Sequence, residues 1–200
     1  MSLLRILFDS NPRFALHLPV HGRGEALPPR LKDLLHRQPG CWDLPELPEI
    51  GGPLDVDGAV AESQALFAAR MGVDCCWFGV NGATGLLQAA LLAMAAPGEA
   101  VLLPRNAHRS LIGACELGGM LPVFLPVPFD EDRGHPGAMT ADGLSRSLEA
   151  LPDLGCRLAA AVLVHPTYHG YAAEIAPLVD RLHARGLPVL VDEAHGSHLA

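Results

Sequence analysis

Short apolar runs alternate with longer amphipathic stretches along most of this chain, and that alternation is what most constrains its fold. Each run is rich in valine, leucine or alanine, as is typical of a strand covered on both faces. The stretches between them carry apolar residues three and four apart, which is typical of helices. Strands alternating with helices in steps of about 25 residues predict an α/β fold with a mostly parallel sheet flanked by helices.

The pattern predicts strands at residues 73–80, 100–103, 121–127, 158–164 and 189–191. It predicts helices at residues 27–38, 59–71, 86–96, 108–117, 140–151 and 173–185. Thr140 is expected to cap the helix that it begins, because its hydroxyl can accept a bond from a free backbone N–H. Since the sequence stops just after the strand at 189–191, we expect the sheet to be incomplete at the C-terminus.

Composition limits the domain organisation and the classes of partner. A chain of 200 residues suits one domain with a real core. We predict an N-terminal arm at residues 1–50, with a loop rich in glycine and histidine at 17–24, and the domain at 51–200. The net charge of −8 and the lack of a basic cluster argue against a nucleic-acid partner and are compatible with a cationic small substrate.

The cysteines and the absence of long apolar segments indicate a cytoplasmic protein. The five cysteines are odd in number and show no C-x-x-C spacing, so we expect reduced and mostly buried thiols. No signal peptide is evident, and no apolar run approaches the roughly 18 residues of a membrane span. We therefore expect no membrane partner.

A glycine-rich turn, Val80-Asn81-Gly82-Ala83-Thr84-Gly85, joins a predicted strand to a predicted helix. Glycine lets the backbone approach a ligand closely, and a helix N-terminus offers free N–H groups and a positive dipole end. Such a turn suits a phosphate group, although many turns of this kind bind nothing.

Three further polar segments follow strands directly. They are Pro104-Arg105-Asn106-Ala107-His108-Arg109-Ser110, His165-Pro166-Thr167-Tyr168-His169-Gly170 and the segment that begins at Asp192. The carboxyl ends of parallel strands meet at one edge of a sheet, so the sequence predicts that all of them converge on one site. A carboxylate after a buried strand is costly to bury unless something pairs with it. His108 alone fits a stacking ring, a base or a solvated loop residue, and the last of these is favoured for any single histidine.

Two other interpretations of these residues are weaker. Asp192-Glu193-Ala194-His195 matches a box found in some helicases, but a nucleotide motor also needs a lysine-containing phosphate loop. The only lysine, Lys32, lies in no such loop. Metal binding by His195 with His198, or by His165 with His169, fits the spacing but lacks further ligands, so no metal site is predicted.

Taken together, the four segments resemble the major domain of the Orn/Lys/Arg decarboxylases, which are pyridoxal-phosphate enzymes of fold type I. The similarity runs from about residue 17 to residue 200, and residues 42–52 and 79–92 look most like the short, cyanobacterial-type members. The resemblance implies decarboxylation of arginine, lysine or ornithine to the amine, with pyridoxal 5'-phosphate as cofactor and a homodimer or higher homo-oligomer as the assembly.

The resemblance also implies roles for eight residues. Gly82, Ala83 and Thr84 would hold the cofactor phosphate. His108 would stack on the pyridine ring and Ala194 would pack on its other face. Asp192 would pair with the pyridine nitrogen, and Thr167 and His195 would lie near the ring substituents. The expected catalytic residues are His108, Asp192 and His195.

Two departures from the family pattern stand out. Pro19-Val20-His21 replaces the usual Pro-Gly-His. The Schiff-base lysine of the family lies beyond the segment that begins at Asp192, and this sequence stops before it, so we expect the 200-residue chain alone to be inactive. The alternatives are an inactive remnant or interaction partner, and another fold type I activity such as an aminotransferase.

Overall fold

A computed structural model describes residues 24–41, 43–45 and 47–196. The loop at 17–24 lies outside these ranges except for Gly24, as do Trp42 and His198. The chain divides into two compact units, Met1–Glu62 and Ser63–Ala200. The predicted division into an arm and a domain at residue 50 stays a prediction.

The described part of the first unit contains a short helix, α1 (Pro29–Leu35), a 3₁₀ turn at Pro39–Cys41 and the beginning of the next helix. Helix α1 begins at a proline, whose fixed φ suits the first helical position. It confirms the helix predicted at 27–38, in a shorter form. Lys32 lies on α1, and its Nζ donates to the Glu25 carbonyl oxygen at 2.6 Å.

The second unit is built on a parallel sheet, as predicted. After α2 (Gly58–Met71), which begins in the first unit, the order of elements is α3 (Gly82–Met94), β1 (Ala100–Pro104), α4 (Arg109–Gly118), β2 (Leu121–Leu125), β3 (Phe129–Asp130), β4 (His135–Pro136), α5 (Ala141–Glu149), β5 (Leu158–Val164), α6 (Ile175–His183) and β6 (Val189–Asp192). Strands β1, β2, β5 and β6 form one sheet in the order β2-β1-β5-β6, with every pairing parallel.

Successive side chains of a strand point to opposite faces of the sheet, so the core has two layers. On β1, Val101 and Leu103 pack with α3 and α4, while Leu102 faces α5 and α6. On β5, Val162 belongs to the first layer and Leu163 to the second. The middle strands are thus buried on both faces, which explains their continuous apolar sequence. Burying one such leucine contributes about 1.5–3 kcal/mol.

The helix boundaries follow from local capping. The Thr140 hydroxyl accepts from the Gly143 N–H at 3.1 Å, which confirms the predicted cap of α5. Helix α4 ends at Gly118 and is capped by Gly119, whose φ of 63° is left-handed and suits glycine. Helix α3 begins four residues earlier than predicted, so the glycine-rich turn forms its first turn.

The strand predicted at residues 73–80 is wrong. The chain there has no regular structure, and Val80 is fully exposed while Trp77 is 58% exposed. A strand needs a neighbour to pair its backbone groups. Here the Phe78 N–H instead donates to the Gln64 side chain at 2.7 Å. The short hairpin of β3 and β4 was not predicted, because two-residue strands leave no periodic signal.

The cysteine expectation is only half right. All five cysteines are free. Only Cys115 is buried, whereas Cys41 and Cys75 are exposed, so the expectation of mostly buried thiols is wrong. Burial raises the pKa of the Cys115 thiol. Among the described residues, no helix is both long enough and apolar enough to cross a membrane.

Candidate active site

A cavity of about 510 Å³ lies at the carboxyl edge of the sheet, where the sequence predicted a site. Register places the ends of the strands level, with Pro104 beside Leu125 and Val164 beside Asp192. The residues that line the cavity are Ala83, Thr84, Leu87, Asn106, Ala107, His108, Arg109, Val164, Tyr168, Asp192, Ala194 and His195. The cavity therefore draws on α3, α4 and the segments that follow β1, β5 and β6.

The N-terminus of α3 opens toward this cavity through Ala83 and Thr84. Asn81 precedes the helix and makes no side-chain cap, so its side chain leaves the first N–H groups of α3 available. Gly82 has a left-handed φ of 63°, and nothing lies within 4 Å of where a Cβ would sit. Free N–H groups at a positive helix end suit an anion such as a phosphate.

Asp192 presents a buried carboxylate at the end of β6. The residue is 6% exposed, and its Oδ1 accepts one bond, from the Ala194 N–H at 3.1 Å. No cation among the described residues forms an ion pair with it; the ion pairs there are Lys32–Glu25, Arg133–Asp130 and Arg157–Glu99. A buried carboxylate with one hydrogen bond favours a cationic or N–H-bearing ligand.

His108 caps α4 and lines the cavity with an exposed ring. Its Nδ1 lies 3.2 Å from the Ser110 backbone nitrogen and 2.8 Å from the Ser110 hydroxyl oxygen. Two short contacts to one ring nitrogen fix the orientation of the imidazole. The ring is therefore held in place before any ligand arrives.

The loop after β5 brings an aromatic residue that the sequence analysis did not single out. Tyr168 lines the cavity and meets His195 edge-on, with ring centroids 5.2 Å apart. Thr167 does not line the cavity: it is buried, and its hydroxyl accepts from the Tyr171 N–H at 3.1 Å. The predicted contact of Thr167 with a cofactor thus stays a prediction, whereas its neighbour borders the cavity.

Asn106 and Arg109 also line the cavity without having been assigned a role. Both lie within residues 104–110, a segment that the sequence predicted to reach the site without assigning a role to these two residues. The Asn106 amide donates to the Gly137 carbonyl oxygen at 3.5 Å, and its Oδ1 is buried without a protein partner. The Arg109 side chain has no hydrogen bond or ion pair within the described residues.

Across the described ranges, no group of three or more histidine, cysteine, aspartate or glutamate side chains is placed to hold a metal. Of the two pairs considered above, His198 lies outside the described residues. His169 stacks face to face on His135, with ring centroids 4.4 Å apart.

A second and larger cavity, of about 710 Å³, lies between β2 and α5. Arg146 is the one charged residue in its lining, and no carboxylate or histidine joins it. A large volume alone does not indicate catalysis or specific binding. The side chains that can transfer protons or pair with a charged ligand, such as His108, Asp192 and His195, line the smaller cavity. We therefore assign the candidate site to the smaller one.

The part of the chain that contains the four segments at this cavity matches a known protein family. The family model described as Orn/Lys/Arg decarboxylase, major domain, matches residues 11–200. The chain belongs to this family. This confirms the resemblance seen in the sequence, and the match of the whole region to a decarboxylase family removes the helicase interpretation of the segment at Asp192.

Curated relatives of this Orn/Lys/Arg decarboxylase family member include proteins named arginine decarboxylase and lysine decarboxylase. An arginine decarboxylase of Halalkalibacterium halodurans is 33% identical over 187 residues, covering 92% of this chain and 36% of the relative. A lysine decarboxylase of Pseudomonas aeruginosa is 28% identical over 144 residues, covering 64% of this chain and 18% of the relative. The chain thus spans about a third of the length of the first relative.

Among solved structures, the SepCysS–SepCysE N-terminal domain complex matches with a TM-score of 0.59. It is 19% identical and covers 70% of this chain and 37% of that chain, which shows a shared fold alone. With the family match and the observed parallel sheet, the predicted fold class is confirmed as the large-domain fold of fold type I pyridoxal-phosphate enzymes.

Proposed function

We propose that this chain forms the cofactor-binding part of a pyridoxal-phosphate-dependent decarboxylase acting on arginine, lysine or ornithine. The observation that carries the proposal is the buried Asp192 carboxylate, which shares one cavity with the uncapped N-terminus of α3. A pyridine nitrogen and a phosphate monoester have the complementary chemistry at the two ends of one small molecule. The cavity volume of about 510 Å³ suits a ligand of that size.

The residues of the chain fit this cofactor in stated ways. Gly82, Ala83 and Thr84 would hold the phosphate with N–H groups and a hydroxyl. Asp192 would keep the pyridine nitrogen protonated by accepting its proton in a charge-assisted hydrogen bond. His108 and Ala194 would enclose the ring from its two faces. When bound, pyridoxal phosphate accepts the electron pair left on the α-carbon as carbon dioxide departs.

His195 is the proposed third catalytic residue, near the substituents of the ring. It is half-buried, lines the cavity and is supported edge-on by Tyr168. An imidazole at such a place can donate or accept a proton in general acid–base catalysis. The basic substrates are supported by the names of the relatives and by the net charge of −8, which attracts cations.

The test is decarboxylation by the protein that carries this chain. Arginine, lysine and ornithine labelled at the α-carboxyl carbon are supplied in turn with pyridoxal phosphate. We expect labelled carbon dioxide from at least one of them, with an equal amount of the corresponding amine. No carbon dioxide from any of the three overturns the proposal, and a 2-oxo acid as product instead indicates an aminotransferase.

We further propose that the 200-residue chain alone is inactive. Its only lysine, Lys32, lies on α1, and its amine is bonded to Glu25. After borohydride reduction in the presence of pyridoxal phosphate, we expect no stoichiometric label at this lysine, and a Lys32→Arg variant should behave as the parent. One label per chain at Lys32, lost in that variant, would contradict the proposal.

A further inference from the structure

The hydrogen bonds that cap α4 bear on which ring nitrogen of His108 is protonated. Ser110, the second residue of the helix, is 4% exposed and provides both contacts to His108 Nδ1. One comes from its backbone nitrogen at 3.2 Å and the other from its hydroxyl oxygen at 2.8 Å. No other described residue makes a hydrogen bond with this ring.

These contacts determine which ring nitrogen bears hydrogen in the neutral imidazole. A backbone N–H can only donate, so Nδ1 must be the acceptor, and the serine hydroxyl can donate to the same lone pair. The hydrogen of the neutral ring therefore sits on Nε2, as assigned from the hydrogen-bond network. A proton on Nδ1 would set a second donor against the Ser110 N–H, and the Ser110 hydroxyl could then keep its contact only by turning to accept.

We propose that Ser110 is a positioning residue that fixes His108 as the Nε2–H tautomer, so that His108 offers the cavity a ring face and a hydrogen-bond donor. In this state Nε2 has no lone pair, so the capped His108 does not act as a base there. The identity of the ligand that uses this donor rests on the proposed function. The tautomer itself does not.

Nitrogen-15 NMR of histidine-labelled protein reads the tautomer directly. The spectrum is recorded at a pH about two units above the ordinary histidine pKa of about 6.5, where imidazoles are neutral. A His108→Gln variant identifies the His108 signals. We expect a protonated Nε2 and an unprotonated Nδ1 in the parent chain, and the opposite pattern overturns the proposal.

Substitutions at Ser110 test its part. Ser110→Thr keeps both donors and should keep the tautomer, Ser110→Ala loses the hydroxyl, and Ser110→Pro also loses the N–H. We expect the Nδ1–H population to rise from Thr through Ala to Pro. Thr140→Ala removes the cap of α5, far from this ring in the sequence, and should leave the His108 signals unchanged. Parent-like populations in Ser110→Ala and Ser110→Pro overturn the proposal; if the proline variant does not fold, Ser110→Ala decides.

Pyridoxal phosphate titration separates this inference from the proposed function. In Ser110→Ala we expect affinity to fall about fivefold, as for one ordinary hydrogen bond, with parent-like affinity in Ser110→Thr. If the parent shows the Nε2–H tautomer but binds no pyridoxal phosphate, the proposed function fails and the inference stands. If the parent binds it with His108 in the Nδ1–H form, the inference fails and the function stands.

Discussion

Asp192 concentrates the electrostatics of the site in one side chain. The residue is 6% exposed, and within the described part of the chain its carboxylate has one hydrogen bond, from the Ala194 N–H. Burying a charge with so little compensation lowers the stability of the ligand-free chain, and a ligand N–H at this position restores it. The same atoms are therefore unfavourable for folding and favourable for binding.

Replacing Asp192 with asparagine should separate these two effects. The amide oxygen still accepts from the Ala194 N–H, but the negative charge is gone. We expect affinity for pyridoxal phosphate to fall about 10- to 100-fold, as for loss of a hydrogen bond to a charged group. The melting temperature of the ligand-free chain should rise or stay level, because a buried charge has been removed.

The matched control is Glu193→Gln, which removes the adjacent but exposed carboxylate. Its affinity for pyridoxal phosphate, measured by absorbance titration, should match that of the parent. Equal losses in the two variants would show a general effect of charge and would contradict the role given to Asp192.

At the scale of elements, the two middle strands hold the site in register. Strand β1 lies between β2 and β5, and its side chains reach both helix layers. Because the strands carry the segments that form the cavity, core packing and site geometry depend on the same residues. A loss of packing on β1 should therefore lower the free energy of unfolding of the whole domain.

Leu102→Ala should lower the free energy of unfolding by about 2–5 kcal/mol, because Leu102 is completely buried between the sheet and the second helix layer. Leu117→Ala is the control, since Leu117 is 73% exposed on α4 and should change stability by about 0.5 kcal/mol or less. Urea unfolding measures both. A cost at Leu102 no larger than at Leu117 would contradict the two-layer core.

The amino ends of β1 and β5 are joined by Glu99 and Arg157. The Glu99 carboxylate accepts from the Ala96 N–H at 2.8 Å and from the Arg157 guanidinium at 2.6 Å. The backbone bond from Ala96 is the larger cause, and Arg157 the second, of a lowered pKa for Glu99. A lowered pKa in the folded state means that this carboxylate stabilises the fold at neutral pH and loses that effect as the pH falls below about 4.3.

Glu99→Gln should therefore flatten the acid side of the stability profile. We expect the parent to lose stability more steeply than the variant between about pH 5 and pH 3, while the difference stays constant at higher pH. The effect should be small, because Arg157 is 68% exposed and well solvated. Thermal unfolding at a series of pH values measures it, and parallel profiles would disprove the coupling.

At the scale of the whole molecule, the apolar surface points to assembly. In the second unit, Trp77 and Val80 are exposed beside Phe78, which meets Phe67 edge-on with ring centroids 6.3 Å apart. Several large apolar side chains exposed within one segment are typical of an interaction site. Half of the sequence is hydrophobic, which is more than the described core takes up.

We predict that this surface joins two copies of the chain. Sedimentation equilibrium should give twice the chain mass of 21.1 kDa. The double variant Trp77→Ser, Val80→Ser should shift the protein to the monomer, because it removes apolar area from the surface. A control at the exposed Leu117 should leave the dimer intact, and a parent that is monomeric at all concentrations would rule the interface out.

The sequence determined the elements whose causes are local or periodic. The run at 158–164 is the observed strand β5, Thr140 caps α5 as expected, and the order of strands and helices already required one shared edge for the polar segments. Alternation, capping and the parallel connection act over a few residues, or follow from chain direction alone, so they can be recognised without coordinates.

Only the tertiary structure decided features that depend on which partner each group finds, whether that partner is near or far in the sequence. Residues 73–80 have the composition of a strand but find no strand to pair with in the described fold. Tyr168 rather than Thr167 borders the cavity, because Thr167 bonds with Tyr171. The proposed tautomer of His108 follows from two contacts with Ser110, and these cannot be inferred from the sequence. Three-dimensional packing determines which hydrogen-bond partner each group has and which residues are buried. A pattern of residue types along the chain does not specify these neighbours.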